Sequence, residues 1–179
     1  MDRLRSVYQQ ALPELAKELG LANVMAVPRV RKVTINVGLN EHRHDEKKIA
    51  RVFGVLGTIA GQKPNIRRSK KAIASFKLRA NEPVGLALTL RGNRMYDFLE
   101  RFIRIVLPRV RDFRGISPKS FDRSGNLTVG LKDLSVFPEI AYENLDVVRG
   151  LEVTLVLNAR SAARGAKVLA ALGFPLIKS

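Results

Sequence analysis

The sequence contains no cysteine. That excludes a disulfide framework, thiolate metal sites and a cysteine nucleophile, and it fits a reducing compartment. Tryptophan is also absent and aromatic residues make up only 6%. No uncharged stretch is longer than the one from Val52 to Gln62, far short of the roughly 20 apolar residues a bilayer span requires. The opening Met1-Asp2-Arg3-Leu4-Arg5 lacks the apolar run of a signal peptide. Acidic residues are scarce, 16 against 32 basic ones, which leaves a formal charge of +16. A charge of that size opposes compaction by self-repulsion, so a polyanionic partner is expected. Nucleic acid and an anionic membrane surface are the two classes.

Catalytic signatures are missing as well. The sequence holds no phosphate-binding loop, dinucleotide fingerprint, zincin helix or nucleophile elbow. Its two histidines, His42 and His44, sit in a polar connection without the ligands that would complete a metal site. They read as surface histidines. Acidic side chains are scattered singly, so no carboxylate pair suggests acid–base chemistry. No metal, cofactor or enzymatic activity is expected.

What is present is enough apolar material, 46% of residues, to build a core. The length of 179 residues, without repeats or linkers, reads as one domain over 1–179. Leu4, Val7, Ala11, Leu15 and Leu19 recur at helical spacing up to Gly20, with Pro13 expected to kink or split the helix. Val33, Ile35 and Val37 alternate with Lys32, Thr34 and Asn36, which predicts a strand over Val30–Gly38 with a polar outer face. Asp45 and Glu46 open a helix striped by Ile49, Val52, Phe53, Leu56 and Ile59, and Gly61 closes it. Asn65–Ser69 reads as a short strand. Val84, Leu86, Leu88 and Leu90 alternate with Gly85, Ala87, Thr89 and Arg91 in another. Asn93 is the expected cap of a helix that ends at Pro108. A turn over Asp122–Asn126 leads to a strand at Leu127–Leu131, a further strand contains Val153, Leu155 and Leu157, and Ser161 caps a last helix. The mixed order predicts an α+β fold: a largely antiparallel sheet with helices packed on one side.

The basic excess is concentrated. Between Lys47 and Asn81 lie Lys47, Lys48, Arg51, Lys63, Arg67, Arg68, Lys70, Lys71, Lys77 and Arg79, and no acid. Around Gln62-Lys63 and Arg67-Arg68 the cations interleave with amides and hydroxyls, a pattern that can neutralise phosphates and hydrogen-bond sugars or bases. A solvated loop is the plainer reading of such a run, but the size of the net charge favours nucleic acid. Ser75 to Pro83 reads as an exposed excursion in which Lys77 and Arg79 can meet a phosphate backbone. Phe76 either stacks on a base or, read by itself, anchors the loop against the protein. Arg101, Arg104, Arg109, Arg111 and Arg114 form a second group, with Asp97, Glu100 and Asp112 near enough for intrachain pairing. Both readings stay open there.

Several segments, in order, carry a resemblance. They are Gly61-Gln62-Lys63-Pro64, Ser75-Phe76-Lys77-Leu78-Arg79, Leu88-Thr89-Leu90-Arg91-Gly92, Asp112-Phe113-Arg114-Gly115, Ser120-Phe121-Asp122 and Phe137-Pro138-Glu139-Ile140. Together, from about Tyr8 to Pro175, the chain resembles the bacterial large-subunit ribosomal protein L-five family, which binds 5S rRNA. The resemblance implies a cytoplasmic ribosomal protein of the central protuberance that helps to attach 5S rRNA. It places 5S contacts on Asn36, Gln62 and Thr89, within a wider candidate rRNA surface of Lys32, Thr34, Lys63, Arg67, Arg68 and Arg91. The loop with Ser75, Phe76, Lys77 and Arg79 would reach P-site tRNA. Further expected partners are 23S rRNA, neighbouring large-subunit proteins and a small-subunit head protein, the last through the region between Arg109 and Ile140. Neither a membrane nor a homo-oligomer is expected. The chain departs from the family pattern at Ser75, Asp133-Leu134, Asn158-Ala159 and after Pro175. Asp112 and Arg114 would pair to fix a turn, and Glu139 would cap or pair locally.

Overall fold

The computed structural model describes residues 3–39, 44–140 and 150–177. His42 lies outside them. The fold is α+β, built on a five-stranded, largely antiparallel sheet in the order β2-β3-β1-β5-β4. The strands are β1 (Val30–Gly38), β2 (Asn65–Arg68), β3 (Pro83–Leu90), β4 (Leu127–Leu131) and β5 (Leu151–Leu157). The helices are α1 (Arg3–Glu18), α2 (Glu46–Ala60), α3 (Gly92–Arg101), the short α4 (Leu107–Arg109) and α5 (Ala162–Ala171). From Val33 in β1, from Leu86 in β3 and throughout β5, every second residue is buried and its neighbours are less so, while Val84, expected on the apolar side, is only half-buried. One face of the sheet is thus apolar and covered, as the alternation predicts.

The chain forms two compact units. One comprises residues 34–89 and 130–153. Its core is the inner side of β1 and β3 against α2, where Val37 meets Val52, Val55, Leu56 and Ile59. The Asp45 side chain caps α2 by accepting from the Lys48 N–H at 3.1 Å, and Gly61 ends it in the left-handed region. The buried stripe includes Val55, whereas Ile49 and Phe53 are only half-buried. The expected stripe was therefore rotated slightly toward the sheet edge. Leu134, one of the departures from the family pattern, is fully buried here. The adjacent Asp133 carboxylate accepts from the Ser135 hydroxyl at 2.6 Å and the Ser135 N–H at 2.8 Å.

The other unit comprises residues 1–33, 90–129 and 154–179. Helix α1 runs through Pro13 as one helix, not two. The Tyr8 hydroxyl ties it to the Pro28 carbonyl at 2.9 Å, and Glu18 pairs with Lys167 of α5 at 2.9 Å. Asn93 is not the cap of α3. Gly92 turns at φ +58, so the chain enters the helix directly from the strand, and the cap position falls on Arg91, whose side chain supplies no bond. Nor does Pro108 end this helical stretch, which runs to Arg109. The turn before Pro108 widens instead: over Phe102–Val106 it is a π-helix, and the Leu107 N–H reaches back to the Phe102 carbonyl. Pro108 has no N–H for the ordinary ladder, which makes a wide turn the available accommodation. Buried Phe98 and Phe102 stack at 5.7 Å between ring centroids, and Phe102 meets the Phe174 ring, tilted by 48°, at 6.5 Å. Ser161 caps α5 at the Arg164 N–H, as its position predicts.

The Asp112-to-Gly115 motif is structural in a different way from that expected. Asp112 adopts φ +55 and faces Arg111 at 3.9 Å with both side chains almost fully exposed, rather than pairing with Arg114. Gly115 is needed because a Cβ there would lie 2.9 Å from Ile177 and 3.2 Å from the Pro175 carbonyl. Asn158, a second departure from the family pattern, accepts from the Arg29 N–H at 2.7 Å.

Candidate nucleic-acid interface

Physical alternation decides which side chains of the sheet remain available. On β1, Thr34 and Asn36 point away from the buried Val33, Ile35 and Val37. On the neighbouring β3, Gly85, Ala87 and Thr89 point away from Leu86, Leu88 and Leu90. The antiparallel register of β2 sets Asn65 opposite Ala87 and Arg67 opposite Gly85. Directly opposed residues share a face, so Asn65 and Arg67 join the same open surface. Its floor is low. A Cβ at Gly85 would stand 2.9 Å from the Val37 carbonyl, so only glycine lets the two backbones approach this closely. The result is a flat strip of small residues bordered by amide, hydroxyl and guanidinium groups.

Gln62 completes this surface from the turn after α2. Its half-buried side chain donates to the Thr89 carbonyl at 3.3 Å. The bond uses one amide hydrogen and leaves the amide oxygen and the Thr89 hydroxyl available. Lys63 beside it is exposed, and Pro64 is buried. Asn36, Gln62, Thr89, Thr34, Lys63 and Arg67 thus belong to one compact unit. Arg68 does not join them. It lies beside Ile49 and Phe53 and donates to the Asn81 carbonyl at 3.0 Å. Lys32 and Arg91 belong to the other unit, although both are open to solvent. Asn65, one of the amides interleaved with the cations of this segment, reaches the open face through its period-two relation to Arg67.

The excursion between β2 and β3 is a clamped hairpin. At its base, Ser69 Oγ donates to the Arg79 carbonyl at 2.5 Å and accepts from the Glu82 N–H at 3.1 Å. Glu82 in turn accepts from the Arg79 N–H at 2.9 Å, and its other oxygen lies 3.3 Å from the exposed His44. Farther out, Ile73 and Leu78 exchange backbone bonds of 2.9 and 3.1 Å. The chain turns over a short 3₁₀ segment, Ala74–Phe76, with Lys77 at φ +48. Ser75, Phe76, Lys77 and Arg79 are all exposed. Phe76 is 69% exposed, which overturns its reading as a loop anchor. Neither Ser69 nor Glu82 stood out in the sequence, because their partners lie ten or more residues away.

The second arginine group is partly neutralised. Arg104 pairs with Glu100 at 3.4 Å across one helical turn. Among the described residues, no group of three or more His, Cys, Asp or Glu side chains could hold a metal ion.

Comparison with known proteins covers almost the whole chain. The family model described as Ribosomal protein L5 matches residues 23–79, and the model of that family's C-terminal part matches residues 83–176. The large ribosomal subunit protein uL5 of Prochlorococcus marinus strain NATL2A is 49% identical over 176 residues, covering 98% of each chain. That of strain MIT 9215 is 49% identical over 177 residues, covering 98% of this chain and 99% of the relative. The uL5 protein of Synechococcus strain CC9311 is 49% identical over 173 residues, covering 96% and 97%.

Proposed function

Because the chain belongs to the ribosomal protein L5 family, a structural family of the large ribosomal subunit, we propose that its open sheet face binds 5S rRNA and helps to hold it in the central protuberance. Membership makes the chain a component of the bacterial cytoplasmic ribosome, with ribosomal RNA and proteins as partners, and not an enzyme. The finer reading rests on one observation: Asn36, Thr89 and the Thr89-bound Gln62 share one surface with a flat floor and an adjacent cation, Arg67. Such a surface suits RNA, whose shallow minor groove offers 2′-hydroxyls and base edges to short polar side chains. Arg67 and Lys63 supply phosphate attraction, which carries affinity without reading sequence. The clamped hairpin contacts P-site tRNA, with Lys77 and Arg79 on phosphates and the exposed Phe76 available to stack. The segment from Arg109 to Ile140 contacts a small-subunit head protein.

The membrane-docking alternative meets a physical objection. Leu4, Tyr8, Leu15 and Ala16 of α1 are already buried in the protein, so this helix has no free apolar face to offer a bilayer.

The test is a binding competition. Purified protein is titrated with labelled 5S rRNA, with tRNA and with a random duplex of matched length at several salt concentrations. The reading expects a clear preference for 5S rRNA and a steep loss of affinity with salt. Equal binding to all three RNAs overturns it.

A further inference from the structure

Strand β2 closes one end of the sheet, and all four of its residues, Asn65–Arg68, are exposed. It pairs with β3 on one side. Among the described residues, no other backbone group bonds to it. Its outer edge therefore carries unused N–H and C=O groups. Ile66 stands opposite the buried Leu86 and so shares the apolar side of the sheet. Unlike Leu86 it is uncovered, at 36% exposure. Beside it a notch of about 600 Å³ opens between β2 and α2, lined by Ile49, Ala50, Phe53, Ile66 and Arg68. Glu46 is the only acid among the described residues of the lining. The notch and both elements belong to the unit of residues 34–89 and 130–153. Lys63, Arg67, Arg68, Lys70 and Lys71 flank the edge and are exposed. Among the described residues, none of these cations forms an ion pair.

We propose that the β2 edge is a protein-docking site, which takes an extended partner segment of alternating apolar and acidic residues as an added strand. In this mode the backbone edge supplies hydrogen bonds, and pockets for alternate side chains supply selectivity. Side chains of an added strand point alternately to the two sides of the sheet. Those on the Ile66 side enter the notch, where an aliphatic group fits. Those on the other side lie beside Asn65 and Arg67, where a carboxylate meets complementary charge. RNA carries no aliphatic side chain to fill the notch. A second copy of this chain is opposed by charge, since pairing β2 with β2 sets Arg67 and Arg68 against the same cations of the other copy. A docked segment closes an edge that otherwise templates aggregation. It also offsets part of the +16 charge while the chain is free of RNA. The notch lies on the opposite side of the sheet from Asn36 and Thr89, so the inference does not depend on the 5S rRNA reading.

The experiment titrates the full chain, free of RNA, into two fluorescein-labelled peptides and follows anisotropy at physiological ionic strength. One peptide is Glu-Val-Asp-Ile-Glu-Val-Asp. The other has serine in place of its valines and isoleucine, with the same charge. The apolar peptide is expected to bind about tenfold tighter, the effect of seating one branched side chain. Ile66→Lys removes one wall of the notch and adds a cation. It should weaken the apolar peptide about tenfold although the chain becomes more basic. A melting temperature within a few degrees of the wild type shows that the variant is folded. In the complex, hydrogen exchange should slow at the β2 amides. Equal binding of the two peptides overturns the proposal, because charge alone then accounts for the contact, and this comparison needs only the wild-type chain. Undiminished binding to folded Ile66→Lys, or β2 amides left unprotected, overturns it as well. Protection of the same amides by a short mixed-sequence RNA would assign the edge to nucleic acid instead. A dimer of the free chain that Ile66→Lys dissolves would assign it to a second copy.

Discussion

The Gln62 side-chain amide donates to the Thr89 backbone carbonyl across 3.3 Å. One proposed RNA contact thus positions itself on the backbone of another. Gln62 follows the left-handed Gly61 at the end of α2, so this bond fixes the turn against the edge of β3. Replacing Gln62 by alanine removes both the positioning bond and the remaining amide oxygen. The expected cost is about 1–3 kcal/mol in 5S rRNA affinity and about 1 kcal/mol in stability. Filter binding and urea unfolding measure the two separately. A loss of stability with undiminished affinity would show that Gln62 only holds the turn.

Ser69→Ala should loosen the hairpin while leaving the rest of the fold intact. The substitution removes the bond to the Arg79 carbonyl and the one from the Glu82 N–H, about 1 kcal/mol for each partly exposed bond. Trypsin should cut after Lys77 and Arg79 several-fold faster than in the wild type, with the melting temperature lowered by only a few degrees. Equal cutting rates would show that the clamp does not restrain the loop.

Gly165 packs on Gly125 without a gap. A Cβ at Gly165 would run into the Gly125 carbonyl, and Gly125 itself needs φ +85. The collision is with backbone, which cannot swing aside as a flexible side chain does. Gly165→Ala should therefore destabilise the protein by about 3 kcal/mol or more, beyond the usual range for a surface helix position. Thermal unfolding followed by circular dichroism measures it.

Alkaline stability should depend on Tyr8. Burial, reinforced by the nearby Tyr96 phenol and opposed by Arg29, pushes the Tyr8 hydroxyl up to about 12. A raised folded-state value means the neutral form is favoured by folding. Its contribution is fully present below the unfolded value of about 10 and is lost as pH rises from there toward about 12. Tyr8→Phe should lower stability by about 1 kcal/mol at neutral pH through the lost bond to Pro28. It should also flatten the decline between neutral pH and about pH 11 relative to the wild type. Urea midpoints at the two pH values give the comparison.

Much of this architecture is legible locally. Asp45 and Ser161 announce their helices because a cap bonds to N–H groups only a few residues away. The alternation in β1 and β3 gives the open face directly, including Asn36 and Thr89. Misreadings arise where a backbone option or a distant partner decides. Asn93 is a good cap residue, but the positive φ of Gly92 lets the helix begin before it. The π-helical turn before Pro108 is one of several ways to accommodate a proline, and no residue type distinguishes them. Ser69, Glu82 and the Gly125–Gly165 approach act across folded distance and leave no periodic trace. Arg68 looks like its neighbour Arg67, but its hydrogen bond to the Asn81 carbonyl and its place beside Ile49 and Phe53 are set by residues distant in the chain.

Hydroxyl-radical footprinting of isolated 5S rRNA tests the central claim most directly, with the wild-type chain compared against an Asn36→Ala, Thr89→Ala variant. A discrete protected segment should appear with the wild type and fade with the sheet-face variant. Protection that survives the sheet-face substitutions would contradict the assignment of 5S rRNA to the open face of the sheet.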